Sequence, residues 1–142
     1  MNEDLRARVV EVALSWVGTP YNHRQMVKGA GVDCATLLIG VFSEAGVIAS
    51  FDPGFYPVEW HLHRTEELYL RQLEKYADYI DTPPVPSDIV VFKFGRTHPH
   101  AGIMVGHDRF VHAWMRDGKA QIQVWNPYWQ KHHGKTMRAK GL

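Results

Sequence analysis

The stretch GVDCATLLIG, residues 31–40, decides how the rest of the chain is read. It holds the only cysteine among 142 residues, where a glycine-containing approach gives way to small and aliphatic side chains. A single cysteine excludes an intramolecular disulfide, and there is no Cys-x-x-Cys spacing for a zinc ribbon or a redox pair. Two readings of Cys34 remain. Free cysteine is among the most buried residue types, so it can be core filling; placed at the start of a helix, it can be a nucleophile. The decapeptide alone favours filling, and the surrounding sequence has to decide.

Downstream, ATLLIGVFSEA (35–45) is apolar at nearly every position, which predicts a helix buried on most sides, with Asp33 as its N-cap and Gly46 as its stop. Cys34 then lies in the first turn, where unpaired N–H groups and the positive dipole end stabilise a thiolate and are expected to lower the thiol pKa. Upstream, Leu5, Val9, Val12, Ala13 and Trp16 recur at helical spacing after Asn2, a capping residue, and Gly18 to Pro20 end that helix. YNHRQMVKGAG (21–31) is a polar loop. Residues 50–64 form a proline- and aromatic-rich connection, after which Thr65, Glu66 and Glu67 open a helix predicted to run to about Ile80 and to be broken by TPPVP (82–86).

Beyond that break the period becomes two. DIVVFKF (88–94), HAGIMVG (100–106), RFVHAWM (109–115) and AQIQVW (120–125) read as strands separated by glycine and aspartate turns. Helices followed by an antiparallel meander define an α+β fold, and the length fits one domain over residues 1–142. The segment KHHGKTMRAKGL, 131–142, is read as a short, solvated basic tail. Composition (45% hydrophobic, 22% charged) is that of a globular chain, and a net charge of +1 gives no bulk case for nucleic acid or an anionic membrane. No apolar run has the length of a membrane span, so no membrane insertion is expected. The N-terminal segment is acidic and lacks a basic region followed by an unbroken apolar run, so it is read as no secretory signal and cytoplasmic synthesis is expected.

A thiolate that cleaves amides needs a histidine within hydrogen-bond reach to protonate the leaving amine, and the chain has nine. Strand parity narrows the choice. A hairpin with a three-residue loop at Gly106, His107 and Asp108 pairs Val105 with Arg109, Gly102 with His112, and His100 with Trp114. His100 and His112 are then diagonal neighbours on one face, roughly 7–8 Å apart at Cα, with Gly102 clearing room between them. A two-residue loop would send them to opposite faces. On the shared face one imidazole can meet the thiol while the other fixes its tautomer; singly, each is equally well a half-buried strand residue.

GTPY (18–21), GVDCATLL (31–38), PSDIVVFKFG (86–95), HAGIMVG (100–106) and FVHAW (110–114), in this order and spacing, resemble the NlpC-type papain-like cysteine peptidases that cut bacterial cell-wall peptides, over about residues 12–115. The chain resembles in particular the single-domain members encoded with phage tails and tail-like gene-transfer particles. The resemblance implies a papain-like core with N-terminal helices packed on the sheet meander, Cys34 as nucleophile, His100 as base and His112 as third polar residue. It also implies Tyr21 lining the substrate cleft, Asp33 associated with the free amino end of the stem peptide, and cleavage between D-glutamate and the diamino acid. No cofactor and no metal are called for; the partners implied are a peptidoglycan stem peptide and tail proteins, with delivery in a phage or phage-like tail. Two positions depart from the family pattern: Ser87 replaces the glycine of P-G-D, and Ala35-Thr36 replaces Ser-Gly after the cysteine.

The remaining histidines read more simply. His61 and His63 in the aromatic connection are ordinary loop residues or flank the cleft, and His132 and His133 in the basic tail are expected to face solvent. His98, two before His100, invites a zinc site with His112, but no acidic or cysteine ligand is near in sequence and Pro99 disturbs regular pairing. Two rival functions keep the fold: a structural tail protein in which Cys34 is inert and exposed aromatics serve as contacts, and a thiol acyltransferase or amidase with another substrate.

Overall fold

The computed structural model describes residues 2–56 and 67–142; His61, His63 and the expected helix start at Thr65 and Glu66 lie outside the described residues. Helix α1 (Glu3–Ser15) begins where expected, with Asn2 Oδ1 accepting from the Leu5 N–H at 3.1 Å, and buries Val9, Val12 and Ala13. A short hairpin of β1 (Met26–Val27) and β2 (Gly31–Val32) leads into α2 (Cys34–Glu44). Leu37, Leu38 and Phe42 of α2 are wholly buried, each contributing about 2–3 kcal/mol by area removed from water. Gly40 lets α1 approach: a Cβ there would lie 2.7 Å from the Trp16 ring.

The later elements are α3 (Leu68–Glu74), β3 (Ala77–Ile80), β4 (Ile89–Phe94), β5 (Thr97–Met104), β6 (Arg109–Trp114), a 3-10 turn (Met115–Asp117), β7 (Lys119–Val124), α4 (Pro127–His132) and β8 (His133–Ala139). β4 to β7 form the expected antiparallel meander inside a six-stranded sheet of order β3-β8-β4-β5-β6-β7. One face, with Ile89, Val91, Ala101, Ile103 and Val111, shares the core with α1 and α2; the alternate residues Val90, Phe92, Met104 and Phe110 form a second cluster with Trp129 of α4. The chain is thus an α+β fold. Among the described residues no helix is long and apolar enough to cross a membrane.

Two expectations are corrected. The helix opened near Glu67 ends at Glu74 instead of Ile80, and Ala77–Ile80 pairs antiparallel with β8. Leu70, Leu73, Ala77 and Ile80 keep helical spacing, so the local pattern continues past the point where a partner strand captures the backbone. The supposed solvated tail is α4 followed by β8, which lies between β3 and β4 with Met137 and Ala139 buried. Its basic residues are accommodated at the periphery: Lys135 lies over the Tyr79 ring, and Arg138 forks onto Asp88 at 2.8 and 3.0 Å. His132 is stacked on Phe94 at 4.3 Å and His133 is half-buried, so neither stands free in solvent as expected.

Asp88 ties the ends of the chain together. It is fully buried and holds Arg138 of β8, Arg6 of α1 at 3.2 Å and the Val85 N–H at 3.0 Å. The preceding Ser87, the residue standing where the family pattern has glycine, has φ +80°, a conformation that costs an L side chain about 1–2 kcal/mol.

Candidate active site

Cys34 is the first residue of α2. The Asp33 cap holds it there: Oδ1 accepts from the Ala35 and Thr36 N–H groups, both at 2.9 Å, and the Thr36 hydroxyl returns to the Asp33 N–H, a complete capping box. Asp33 Oδ2 accepts from the Arg24 N–H at 2.8 Å and from the Tyr56 hydroxyl. At 1% exposure the carboxylate is buried under these donors, with His23 Nδ1 3.7 Å from Oδ2, and its local work is to fix the helix start that presents Cys34.

Tyr21 is placed by backbone bonds on both sides. Its N–H donates to the Gly118 carbonyl at 2.8 Å, and the flanking Asn22 N–H donates to Val32, two residues before the cysteine. Tyr21 and Cys34 line the same cavity of about 290 Å³.

The β5–β6 hairpin has the expected register. Val105 N–H donates to Arg109 at 3.1 Å across the three-residue loop, with Ile103 opposite Val111 and Met104 opposite Phe110. Gly102 is required: an added Cβ would lie 2.6 Å from the Phe110 ring and 3.2 Å from His112 Cβ. His100 Nε2 and His112 Nδ1 consequently meet at 2.8 Å, both rings buried. Trp114 packs on His100 at 4.5 Å, and Trp129 and Phe110 hold His112 edge-on at 5.0 and 4.8 Å. His100 lines the cavity with Cys34, and Cys34 Sγ lies 4.0 Å from the carbonyl of Pro99, the residue before it.

The site is buried, and this reverses one expectation. The N–H groups of Cys34 and Ala35 do favour the thiolate, as the helix start implies, but burial, and then the Asp33 charge, outweigh them and push the thiol pKa well up. Burial lowers both imidazoles, His112 to about 3, and the His112 ring adds to the effect at His100. The resting centre is a neutral thiol beside neutral imidazoles. Tyr21 and Tyr56 are likewise raised, chiefly by burial, and stay protonated donors.

Sequence reasoning missed several neighbours. Tyr69 of α3 donates to the Cys34 carbonyl at 2.7 Å, and Phe94, Arg116 and Tyr128 line the cavity; they come from separated segments that no spacing links. Asp117, with Oδ2 3.8 Å from His112 Nε2, was signalled only by an acidic residue in the MRDG turn directly after the histidine strand. His98 has an acidic partner that is near in space and remote in sequence: its N–H and Nδ1 meet the two Glu67 oxygens at 2.8 and 2.6 Å. Among the described residues no group of three or more His, Cys, Asp or Glu is placed to hold a metal ion.

The structure thus brings a helix-start cysteine and a sheet-borne histidine, itself bonded to a second histidine, to one cavity. Residues 18–138 match the model of the NlpC/P60 family, and the chain belongs to that family. It is 26% identical over 137 residues to the murein DD-endopeptidase MepS/murein LD-carboxypeptidase of Escherichia coli, an alignment covering 96% of this chain and 64% of that protein. The chain therefore spans about two thirds of that relative's length. Among solved structures, an NLP/P60-family protein from Staphylococcus aureus, described as similar to lipoprotein, superposes with a TM-score of 0.67 at 18% identity, covering 98% of this chain and 42% of that one. RipD from Mycobacterium tuberculosis, titled a non-catalytic NlpC/p60 domain protein adapted to peptidoglycan binding, gives 0.58 at 13% identity over 99% of this chain and all of that one. Family and fold agree with the resemblance read from the sequence.

Proposed function

We propose that this chain is a cysteine peptidase hydrolysing peptidoglycan stem peptides, at the bond between D-glutamate and the diamino acid, through a Cys34 thioester. The observation that carries the reading is that Cys34 at a helix start and His100 line one cavity, with His112 hydrogen-bonded to His100 from behind. Cys34 Sγ attacks the scissile carbonyl as its proton passes to His100, and the oxyanion is held by the Cys34 N–H with the Tyr21 phenol as second donor. His100 then protonates the departing amine, and water, deprotonated by His100, hydrolyses the thioester and restores the thiol. Asp33 serves by capping the helix that presents Cys34. The cavity supports a peptide that carries carboxylates: Phe94, Trp114 and Tyr128 supply flat apolar walls, and Arg116 has no ion pair among the described residues. Delivery in a phage or phage-like tail rests on the sequence resemblance alone, since the relatives named above are not described as tail proteins.

Stem peptides with and without a free amino terminus, incubated with wild type, Cys34→Ala, His112→Ala and Arg116→Gln, test the reading. Cleavage should vanish in Cys34→Ala, resist a chelator, fall on the order of 10- to 10⁴-fold in His112→Ala, and show a raised KM in Arg116→Gln. A folded wild type that cleaves none of them refutes it. Labelling of Cys34 by an acyl thioester then separates an acyltransferase from a binding domain like RipD.

A further inference from the structure

The hydrogen bond between His100 and His112 leaves open which ring donates. Both rings are neutral, so each carries one proton, and two arrangements satisfy the 2.8 Å contact equally. In the first, His100 Nε2–H donates to His112 Nδ1; His100 Nδ1 is then an acceptor, and His112 carries its proton on Nε2. In the second, His112 Nδ1–H donates to His100 Nε2; His100 Nδ1 is then protonated and cannot receive a proton from a thiol. The first is a competent base and the second is inert. Only what faces the outer nitrogens distinguishes them.

The outer nitrogen of His112 is the unusual atom. Among the described residues Nε2 is buried with no hydrogen-bond partner, and the part-exposed carboxylate of Asp117 lies 3.8 Å away on the 3-10 turn. In the competent arrangement this nitrogen presents an N–H to an anion. In the inert one it presents a lone pair to an anion, a repulsion made costly by burial. A closure of about 1 Å by the turn residue would give a charge-assisted hydrogen bond of ordinary length. Among the described residues the groups facing the His112 ring are His100, Asp117 and the uncharged rings of Phe110, Trp114 and Trp129, so no other charge competes.

We propose that Asp117 is a positioning residue for the histidine pair: its carboxylate, facing the outward Nε2 of His112, selects the tautomers that leave His100 Nδ1 free to accept the Cys34 proton. The inference rests on the thiol-peptidase reading above for its catalytic consequence, and on the geometry alone for the tautomer.

The test reads the two separately. Long-range ¹⁵N–¹H NMR of the unliganded protein near neutral pH reports which nitrogens of His100 and His112 carry protons, in wild type, Asp117→Ala and Asp117→Glu. Wild type should show protonated Nε2 on both rings; Asp117→Ala should shift His112 toward the Nδ1–H form; Asp117→Glu should restore the wild-type pattern. In stem-peptide turnover, Asp117→Ala should lower kcat about 10- to 100-fold, with KM little changed and most of the loss recovered in Asp117→Glu. Tautomers that are unchanged in Asp117→Ala overturn the proposal, whatever happens to kcat. If wild type cleaves no stem peptide while the tautomers still respond, the peptidase reading fails and the positioning role stands.

Discussion

The burial of the His100–His112 pair sets how the fold should respond to acid. His112 binds a proton at about 6.5 in the unfolded chain and at about 3 when folded, because burial strips its ring of solvent. Between these values the unfolded chain holds more protons, so stability is complete above about pH 6.5 and is lost as pH falls toward 3. At 1.36 kcal/mol per pH unit the interval from 6.5 to about 3 corresponds to about 5 kcal/mol, of which about 2 kcal/mol falls between pH 7 and pH 5. His100 is shifted in the same direction and adds to the slope. Urea unfolding at pH 7, 6 and 5 should therefore show the midpoint dropping by about 1 M or more, taking an m-value of about 1–3 kcal/mol/M. In His112→Gln, which keeps a polar side chain but removes the titration, the drop between pH 7 and 5 should shrink by about 2 kcal/mol, whatever the starting stability. Parallel pH profiles for wild type and His112→Gln would refute the reasoning, because they would mean that the folded ring takes up its proton at the ordinary pH.

Two further outcomes follow from the turn that joins the helical and sheet halves. Asp88→Ala leaves the guanidinium of Arg6, with 7% side-chain exposure, without its carboxylate and strips Arg138 of its fork; it should cost about 3 kcal/mol in chemical denaturation, and an effect below about 1 kcal/mol would show that the network is solvated. Ser87→Gly relieves a positive φ and removes a buried hydroxyl with no hydrogen-bond partner among the described residues, against about 0.5–1 kcal/mol of added backbone freedom, so it should stabilise by about 1–2 kcal/mol. Ser87→Ala keeps the strained backbone and should recover only part of that gain, and a lower melting temperature for Ser87→Gly would count against strain at this turn.

What could be read from the chain alone was what depends on near neighbours. Asn2 and Asp33 as caps, Gly46 beyond α2 and the three-residue hairpin loop are decided within a few residues, and the parity of that loop brought His100 and His112 to one face. The losses are all matters of distant pairing. β3 followed helical spacing until β8 claimed its backbone, and β8 looked like a basic tail because Met137 and Ala139 give too short an alternation among Lys135, Arg138 and Lys140. Glu67 meets His98 across 31 positions, and the cavity draws Tyr21, Phe94 and Tyr128 from three separate segments.

The thiol shows why the site's residues were easier to read than its electrostatics. A helix start can be recognised from Asp33 and the apolar run behind it, and its N–H groups do act on Cys34 in the expected direction. Burial is a sum over the whole fold, and here it wins, raising the thiol and lowering the imidazoles until the neutral pair is the resting state. In the proposed mechanism this couples proton transfer to attack: charge separates only as negative charge develops on the substrate carbonyl, where the Cys34 N–H can meet it. A preformed thiolate would need no selected tautomer on His100. A neutral thiol does, since its proton must have a free Nδ1 to go to at the moment of attack, and the carboxylate of Asp117 beyond His112 is the group placed to keep that nitrogen free.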